Sequence, residues 1–194
     1  MSQYFENDEN LKSEIHKVNV NIVNTNYYFY TDNGVFSKGK LDLGTKILLE
    51  SLDLKNTQHS NILDIGCGCG PIGIYLVKQG FTVDMSDVNK RALHLTRKAL
   101  KEQKLEAKVL ESDSYQNIKE KYDCIISNPP IRVGKKILYD IVMNAKKYLN
   151  QDGELWIVVR KKQGAESLII DMRSIYTTVQ IIKKKKGYFI IKAK

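Results

Sequence analysis

A single α/β domain with a doubly wound, mainly parallel sheet is predicted by three features of this sequence. The apolar strand Asn61–Ile65 runs into a glycine-rich turn at residues 66–73, the opening of a nucleotide-binding β-α-β unit. A second strand ends on Asp87, about twenty residues beyond the first glycine, where an acidic residue meets ribose hydroxyls in this architecture. A later buried strand, Tyr122–Ser127, stops abruptly at Asn128-Pro129-Pro130-Ile131.

The elements follow in order. Val18, Val20 and Ile22 alternate with asparagines and predict an N-terminal strand leading to Tyr27, Tyr28, Phe29 and Tyr30. Those aromatics could stack bases, although aromatics at strand spacing more often serve packing. Residues 41–52 predict a helix before the core sheet. In the glycine turn, Gly68-x-Gly70-x-x-Gly73 also fits the dinucleotide fingerprint. Asp64 argues against that reading. A carboxylate at the end of the first strand repels a pyrophosphate but suits a ligand carrying ammonium and sulfonium charges, such as S-adenosylmethionine.

Phe81, Val83 and Met85 alternate with Thr82, Asp84 and Ser86, the period of a strand. Residues 89–103 read as a helix with Ala92, Leu95 and Ala99 on one face. Asp87 fits an N-terminal helix cap as well as a ribose ligand, and its company with Asp64 and the glycines favours the ligand. The third strand, residues 107–110, leads to Glu111-Ser112-Asp113-Ser114. Asp113 can accept from an adenine amino group, and a polar turn is an equal reading. Four successive strand ends thus carry polar groups, as expected for a ligand outside the carboxyl ends of a parallel sheet.

The two prolines after Asn128 fix φ, lack N–H groups and push their preceding residues out of the helical region. The result is a stiff loop with an amide side chain and free carbonyls. Such a row of acceptors suits an exocyclic amine whose lone pair must face a methyl donor. Taken alone, the tripeptide is more often a rigid connection.

The 194 residues, 42% hydrophobic, suffice for one domain with a full core. No apolar run reaches transmembrane length, and the N-terminus lacks a secretory pattern, so a cytoplasmic protein with no membrane association is expected. Three cysteines cannot all pair internally. Cys67-x-Cys69 has no second Cys/His pair beside it, and His16, His59 and His94 are scattered, so no metal is expected. The net charge of +9 invites a polyanionic partner, although richness in Lys, Asn and Ile also fits adenine- and thymine-rich coding. Placement is the better argument. Arg132, Lys135 and Lys136 follow the fourth strand, and Arg160, Lys161 and Lys162 follow the fifth, residues 154–159. Both clusters fall on the sheet edge that holds the glycine loop, where phosphate contacts would set a nucleic acid over the ligand. Residues 183–187, four lysines and a glycine, read as a solvated hairpin turn inside a final antiparallel pair, residues 177–194.

From about Tyr27 onward the chain resembles the class I S-adenosylmethionine-dependent methyltransferases. More narrowly it is similar to single-domain relatives of the small-subunit ribosomal RNA guanine-N2 methyltransferases, the RsmC-like group. The resemblance rests on Thr31-Asp32-Asn33-Gly34-Val35-Phe36-Ser37 with Leu41-Asp42-Leu43-Gly44-Thr45, on residues 63–73, and on Ser127-Asn128-Pro129-Pro130-Ile131-Arg132-Val133-Gly134-Lys135. It implies a Rossmann-like, seven-stranded sheet with an antiparallel edge strand and a short N-terminal strand and helix extension. Residues 1–55 would form the extension with a cofactor-covering loop, and 56–194 the core sheet, in one domain.

The resemblance further implies S-adenosylmethionine held by Gly66, Gly68 and Gly70 on its methionine side, by Asp87 at the ribose and by Asp113 at the adenine. Phe36 would close over it, with Asp64, Val88, Ser114 and Asn128 completing the contacts. Asn128 and Pro129 would hold the target amine, and Pro130, Ile131, Arg132 and Lys135 the substrate around it. The expected partner is RNA, ribosomal RNA or a ribosomal particle. The extra N-terminal domain of two-domain members has no counterpart in this sequence. Ile131 also stands where adenine and protein-glutamine methyltransferases carry an aromatic, which weakens those substrates relative to guanine. A nicotinamide-dependent oxidoreductase and a non-catalytic RNA-binding module are the readings of another class.

Overall fold

The computed structural model describes residues 12–54, 61–129 and 135–194. It opens with a two-stranded antiparallel hairpin, β1 (His16–Ile22) and β2 (Thr25–Thr31). The connecting residues Val23 and Asn24 both have positive φ, the backbone of a tight two-residue hairpin turn. Tyr27 and Phe29 are buried, and β2 packs on α2 (Pro71–Lys78) and α3 (Lys90–Glu102). Tyr28 and Tyr30 meet edge to face, and both hydroxyls donate to Glu102. The aromatic cluster is therefore engaged with the helix layer.

α1 (Leu43–Leu49) is shorter than the sequence predicts; Asp42 sets its start by accepting the Thr45 N–H at 3.0 Å, and Glu50 caps its end. The main sheet then builds from β3 (Asn61–Ile65), β4 (Thr82–Asp87), β5 (Lys108–Glu111), β6 (Tyr122–Ser127) and β7 (Leu149–Arg160), all parallel. α4 (Lys135–Tyr148) and α5 (Ala165–Met172) complete the helices. β8 (Val179–Lys185) and β9 (Tyr188–Ala193) form the closing hairpin. Its turn, Lys186-Gly187, again has positive φ at both residues and is exposed, while Lys183, Lys184 and Lys185, expected in the turn, belong to β8.

The strand order is β5-β4-β3-β6-β7-β9-β8, a seven-stranded sheet. β9 runs against β7, and β8 then closes the edge. The period of two sorts side chains between two layers. Ile62, Cys124, Ile126, Trp156 and Val158 face α1, α2, α3 and the N-terminal hairpin. Leu63, Ile125, Leu155, Ile157 and Val159 face α4 and α5. β7 starts earlier than expected because its register against β6 shifts between Tyr122 and Cys124. Glu154, fully buried in β7, is ion-paired to Lys192 of β9. All parallel strands deliver their carboxyl ends to one edge, and that edge carries the polar residues picked out above.

Candidate active site

After β3 the chain turns through Gly66, Gly68 and Gly70 with φ of 70°, 54° and 78°, a conformation that a side chain would strain. The turn is clamped from outside. Cys67 donates its N–H to the Ser86 carbonyl at 2.9 Å, and Gly68 donates to Asp87 Oδ2 at 2.8 Å. Thr96 Oγ1 of α3 donates to the Gly68 carbonyl at 3.1 Å. Gly70, expected beside a ligand, is buried and gives its N–H to Cys67. A Cβ there would lie 2.7 Å from Thr96 Cγ2, so helix packing is what demands glycine at this position.

Asp64 differs from the expectation of a carboxylate facing a ligand's charges. It is fully buried; Oδ2 accepts the Gly73 N–H at 2.8 Å and Oδ1 has no hydrogen-bond partner. Burial pushes its carboxyl up to about 7, the Gly73 bond opposing and nearby Asp87 adding to the rise. It therefore fastens the start of α2 from beneath the loop. Asp87 accepts from Gly68 and, through Oδ1, from the Asn89 N–H at 2.8 Å. The cap of α3 is Asn89, whose Oδ1 accepts the Ala92 N–H at 2.9 Å, so the cap reading of Asp87 is replaced. Val88, half-buried, lies between the two.

Asn89 does a second job that the sequence did not disclose. Its Nδ2 donates to the Gly34 carbonyl at 3.0 Å, tying the loop that carries Phe36 to the Asp87 strand end. Phe36 itself is 45% exposed. The root of that loop is Asp32, buried beside Arg91 at 3.3 Å. Burial raises its carboxyl, but hydrogen bonds from Ser13 and from the Glu14 and Asn33 N–H groups, with the Arg91 charge, bring it below the usual range. The turn signal Asp32-Asn33-Gly34 could have marked the anchor.

At the end of β5, Ser112 donates its N–H to the Asp87 carbonyl at 3.0 Å and so brings that loop beside the second strand. Asp113 is exposed and accepts from the Gln116 N–H through its own carbonyl, so it is a turn residue with its carboxylate near the surface. Ser114 has φ 50° and an Oγ without a partner. Asp64 Oδ1, Ser86 Oγ and Ser114 Oγ are thus unpartnered buried polar atoms at three neighbouring strand ends.

β6 is locked to β3 by Ser127 Oγ, which donates to the Ile65 carbonyl at 2.7 Å. The next residue, Asn128, donates from Nδ2 to Asp42 Oδ2 at 2.9 Å and to Thr45 Oγ1 at 2.8 Å. Among the described residues its Oδ1 takes no hydrogen bond, and Pro129 beside it is buried. Pro130, Ile131 and Arg132 lie outside the described residues. Lys135 and Lys136 are exposed at the start of α4. An ideal Cβ at Gly164 would lie 3.8 Å from Lys135 Nζ, so the basic cluster after β6 meets the turn after β7, where Lys161 and Lys162 are exposed. Arg160 is partly committed: its guanidinium lies over the Tyr188 ring and donates to the Tyr188 hydroxyl. Among the described residues there is no group of three or more His, Cys, Asp or Glu able to hold a metal, and no helix is long and apolar enough to cross a membrane.

The chain is similar to known proteins in sequence and in fold. Residues 26–192 match the family described as Methyltransferase small domain. The chain is 37% identical to YbxB of Bacillus subtilis, across 98% of its own length and 97% of that protein. It is 41% identical to ribosomal RNA small subunit methyltransferase C of Haemophilus influenzae, across 69% of its own length and 42% of the relative. The solved structure of the T. thermophilus 16S rRNA N2 G1207 methyltransferase RsmC, in complex with AdoMet and guanosine, superposes with a TM-score of 0.84 at 25% identity. That match covers 95% of this chain and 51% of the other, so the chain spans about half the length of these named methyltransferases.

Proposed function

We propose a specific reaction for this chain, which belongs to the methyltransferase small domain family and takes S-adenosylmethionine as its methyl donor: methylation of the exocyclic amine of a guanine in ribosomal RNA. The observation that carries this reading is the Asn128 amide, whose two N–H groups are both spent inward on Asp42 and Thr45. Its oxygen is left to accept from an incoming amine. The donor supplies an electrophilic methyl group bound to a sulfonium.

On this reading Gly66 and Gly68 allow close approach of the methionine portion, Asp87 accepts from the ribose hydroxyls, and Asp113 and Ser114 meet the adenine. Phe36 covers the donor from the loop anchored at Asp32 and Asn89. Asn128 Oδ1 and the Pro129 carbonyl accept the two N–H bonds of the target amine. That orients its weakly basic lone pair at the methyl carbon for in-line displacement, and catalysis comes from positioning and exclusion of water. The amine proton leaves after transfer, once the nitrogen has become acidic, and needs no strong base. A base inside a helix cannot present its amine to a pocket at a sheet edge, so the target is flipped out or lies in a loop. Lys135, Lys161 and Lys162 contact the RNA backbone beside it.

Support for RNA, and for guanine, comes from the named methyltransferases that the chain resembles and from the basic edge. Mass spectrometry of ribosomal RNA nucleosides from cells with and without the protein tests the reading. Loss of N2-methylguanosine is expected. Loss of a methylated adenosine, or of a methylated protein glutamine, would refute the guanine assignment, and RNA binding with no methyl incorporation anywhere would favour a non-catalytic module.

A further inference from the structure

We propose that Asp42 and Thr45 are positioning residues for methyl transfer, fixing the Asn128 amide so that the site accepts only a group that presents N–H bonds. The inference rests on the reading of Asn128 given above and adds how its orientation is enforced. An asparagine amide can sit in two orientations related by a flip, and only one leaves the oxygen outward. A carboxylate accepts and cannot donate, so the group facing Asp42 Oδ2 at 2.9 Å has to be the amide nitrogen. The second N–H goes to Thr45 Oγ1 at 2.8 Å, on a side chain only 3% exposed. With both N–H bonds committed, a flip would set oxygen against oxygen.

Asp42 is itself immobilised. The oxygen that receives Asn128 also accepts the Thr45 N–H at 3.0 Å, and the Asp42 carbonyl accepts the Lys46 N–H at 3.0 Å. The capping residue of α1 thus serves two helical donors and one side chain just past β6. Gly44 completes the device. A Cβ there would lie 2.9 Å from Asp42 Oδ2 and 2.8 Å from Tyr188 Cε1, so a side chain at this position would press on both the carboxylate and the ring. Tyr188 is in turn covered by Arg160. The cap and first turn of α1, beside the first residue of β9, therefore hold one amide in one orientation. A carbonyl or an unprotonated ring nitrogen, which can only accept, is rejected by the oxygen so displayed.

Asp42→Ser keeps a helix cap but removes the carboxylate, and Thr45→Val removes the hydroxyl acceptor while Thr45→Ser keeps it. Expected are kcat losses of about a hundredfold in Asp42→Ser and Thr45→Val, as for a misplaced reacting group, with near-normal kcat in Thr45→Ser. The affinity for S-adenosylmethionine is expected to stay unchanged throughout. Proton exchange of the Asn128 side-chain amide, followed by NMR on the full chain, reads the orientation without any RNA. Slow exchange is expected in the unaltered protein and fast exchange in Asp42→Ser. Fast exchange in the unaltered protein, or unchanged kcat in both disruptive variants, would overturn the proposal. A protected amide in a protein that methylates no guanine would instead count against the substrate reading.

Discussion

Asn89 Nδ2 donates to the Gly34 carbonyl at 3.0 Å, joining the helix cap beside Asp87 to the loop that carries Phe36. The residue that starts α3 therefore also sets where the covering loop stands. Asp32, paired with Arg91 in the first turn of α3, braces the root of the same loop. Strand end, helix cap and covering loop are thus tied together.

Asn89→Ser separates the two roles. Serine is as good a cap as asparagine, so thermal stability is expected to fall little. Its hydroxyl is too short to reach Gly34, and the Phe36 loop loses its tether. S-adenosylmethionine affinity, measured by calorimetry, is expected to drop by roughly five- to tenfold, the worth of one hydrogen bond. Unaltered affinity would show that the loop takes no part in binding.

The burial of Asp64 makes stability depend on pH in an unusual direction. Its folded carboxyl titrates at about 7 against an ordinary 3.8, so the folded protein holds a proton that the unfolded chain releases between those values. The folded state binds more protons in that window, and this contribution to stability is lost as pH rises through 7. Asp64→Asn cannot ionise. The melting temperature of Asp64→Asn relative to the unaltered protein is expected to rise between pH 5 and pH 8, and a constant difference would contradict the assignment.

Gly70 is held by Thr96. Gly70→Ala combines a left-handed φ of 78° with a Cβ 2.7 Å from Thr96 Cγ2. A loss of roughly 1–3 kcal/mol is expected in denaturant titration. Thr96→Ser removes the obstructing methyl but keeps the hydroxyl that donates to the Gly68 carbonyl. The double variant should recover part of the loss, since the φ strain and the closer contacts with Thr96 Oγ1 at 3.1 Å and Ile74 Cδ1 at 3.3 Å remain; simple additivity would mean that the methyl is not the obstacle.

Asn128→Ala tests the other half of the site. Removing one positioned acceptor is expected to lower kcat by about two to three orders of magnitude in a methyl-transfer assay. Cofactor affinity should hardly move, because the groups assigned to the donor, Phe36, Gly66, Gly68, Asp87, Asp113 and Ser114, lie on other segments. A variant with normal turnover would take Asn128 out of the mechanism.

The order of elements and the edge that carries the site were legible because each depends on local chemistry. Periodicity marks the strands, glycines mark the turn, and prolines mark the stop after Asn128. The contacts that make these residues work run between segments distant in sequence, and no local pattern reports them. Asp42 lies 86 positions from Asn128, and Asn89 lies 55 from Gly34. The same limit explains the different places found for Gly70 and Asp64. A glycine motif shows that backbone must come close to something; only the packing of α3 reveals that, at Gly70, the something is Thr96.

Arg160 and Lys135 look alike in sequence, each a cation just past a strand, yet the structure divides them. Lys135 is exposed at the start of α4, near the turn that carries Lys161 and Lys162. Arg160 lies over Tyr188, whose ring fills the space against Gly44 beside Asp42. If RNA phosphates bind this edge, Lys135→Ala should weaken RNA binding and flatten the dependence of log K on log salt by about one unit, with no change in melting temperature. Arg160→Ala should additionally lower the melting temperature, through lost packing on Tyr188, and should reduce kcat because the Asp42 brace on Asn128 loosens. Binding across a salt series, with melting curves on the same samples, checks both. Identical behaviour of the two variants would mean that Arg160 is a phosphate contact like Lys135 and that Tyr188 holds its place against Gly44 without it.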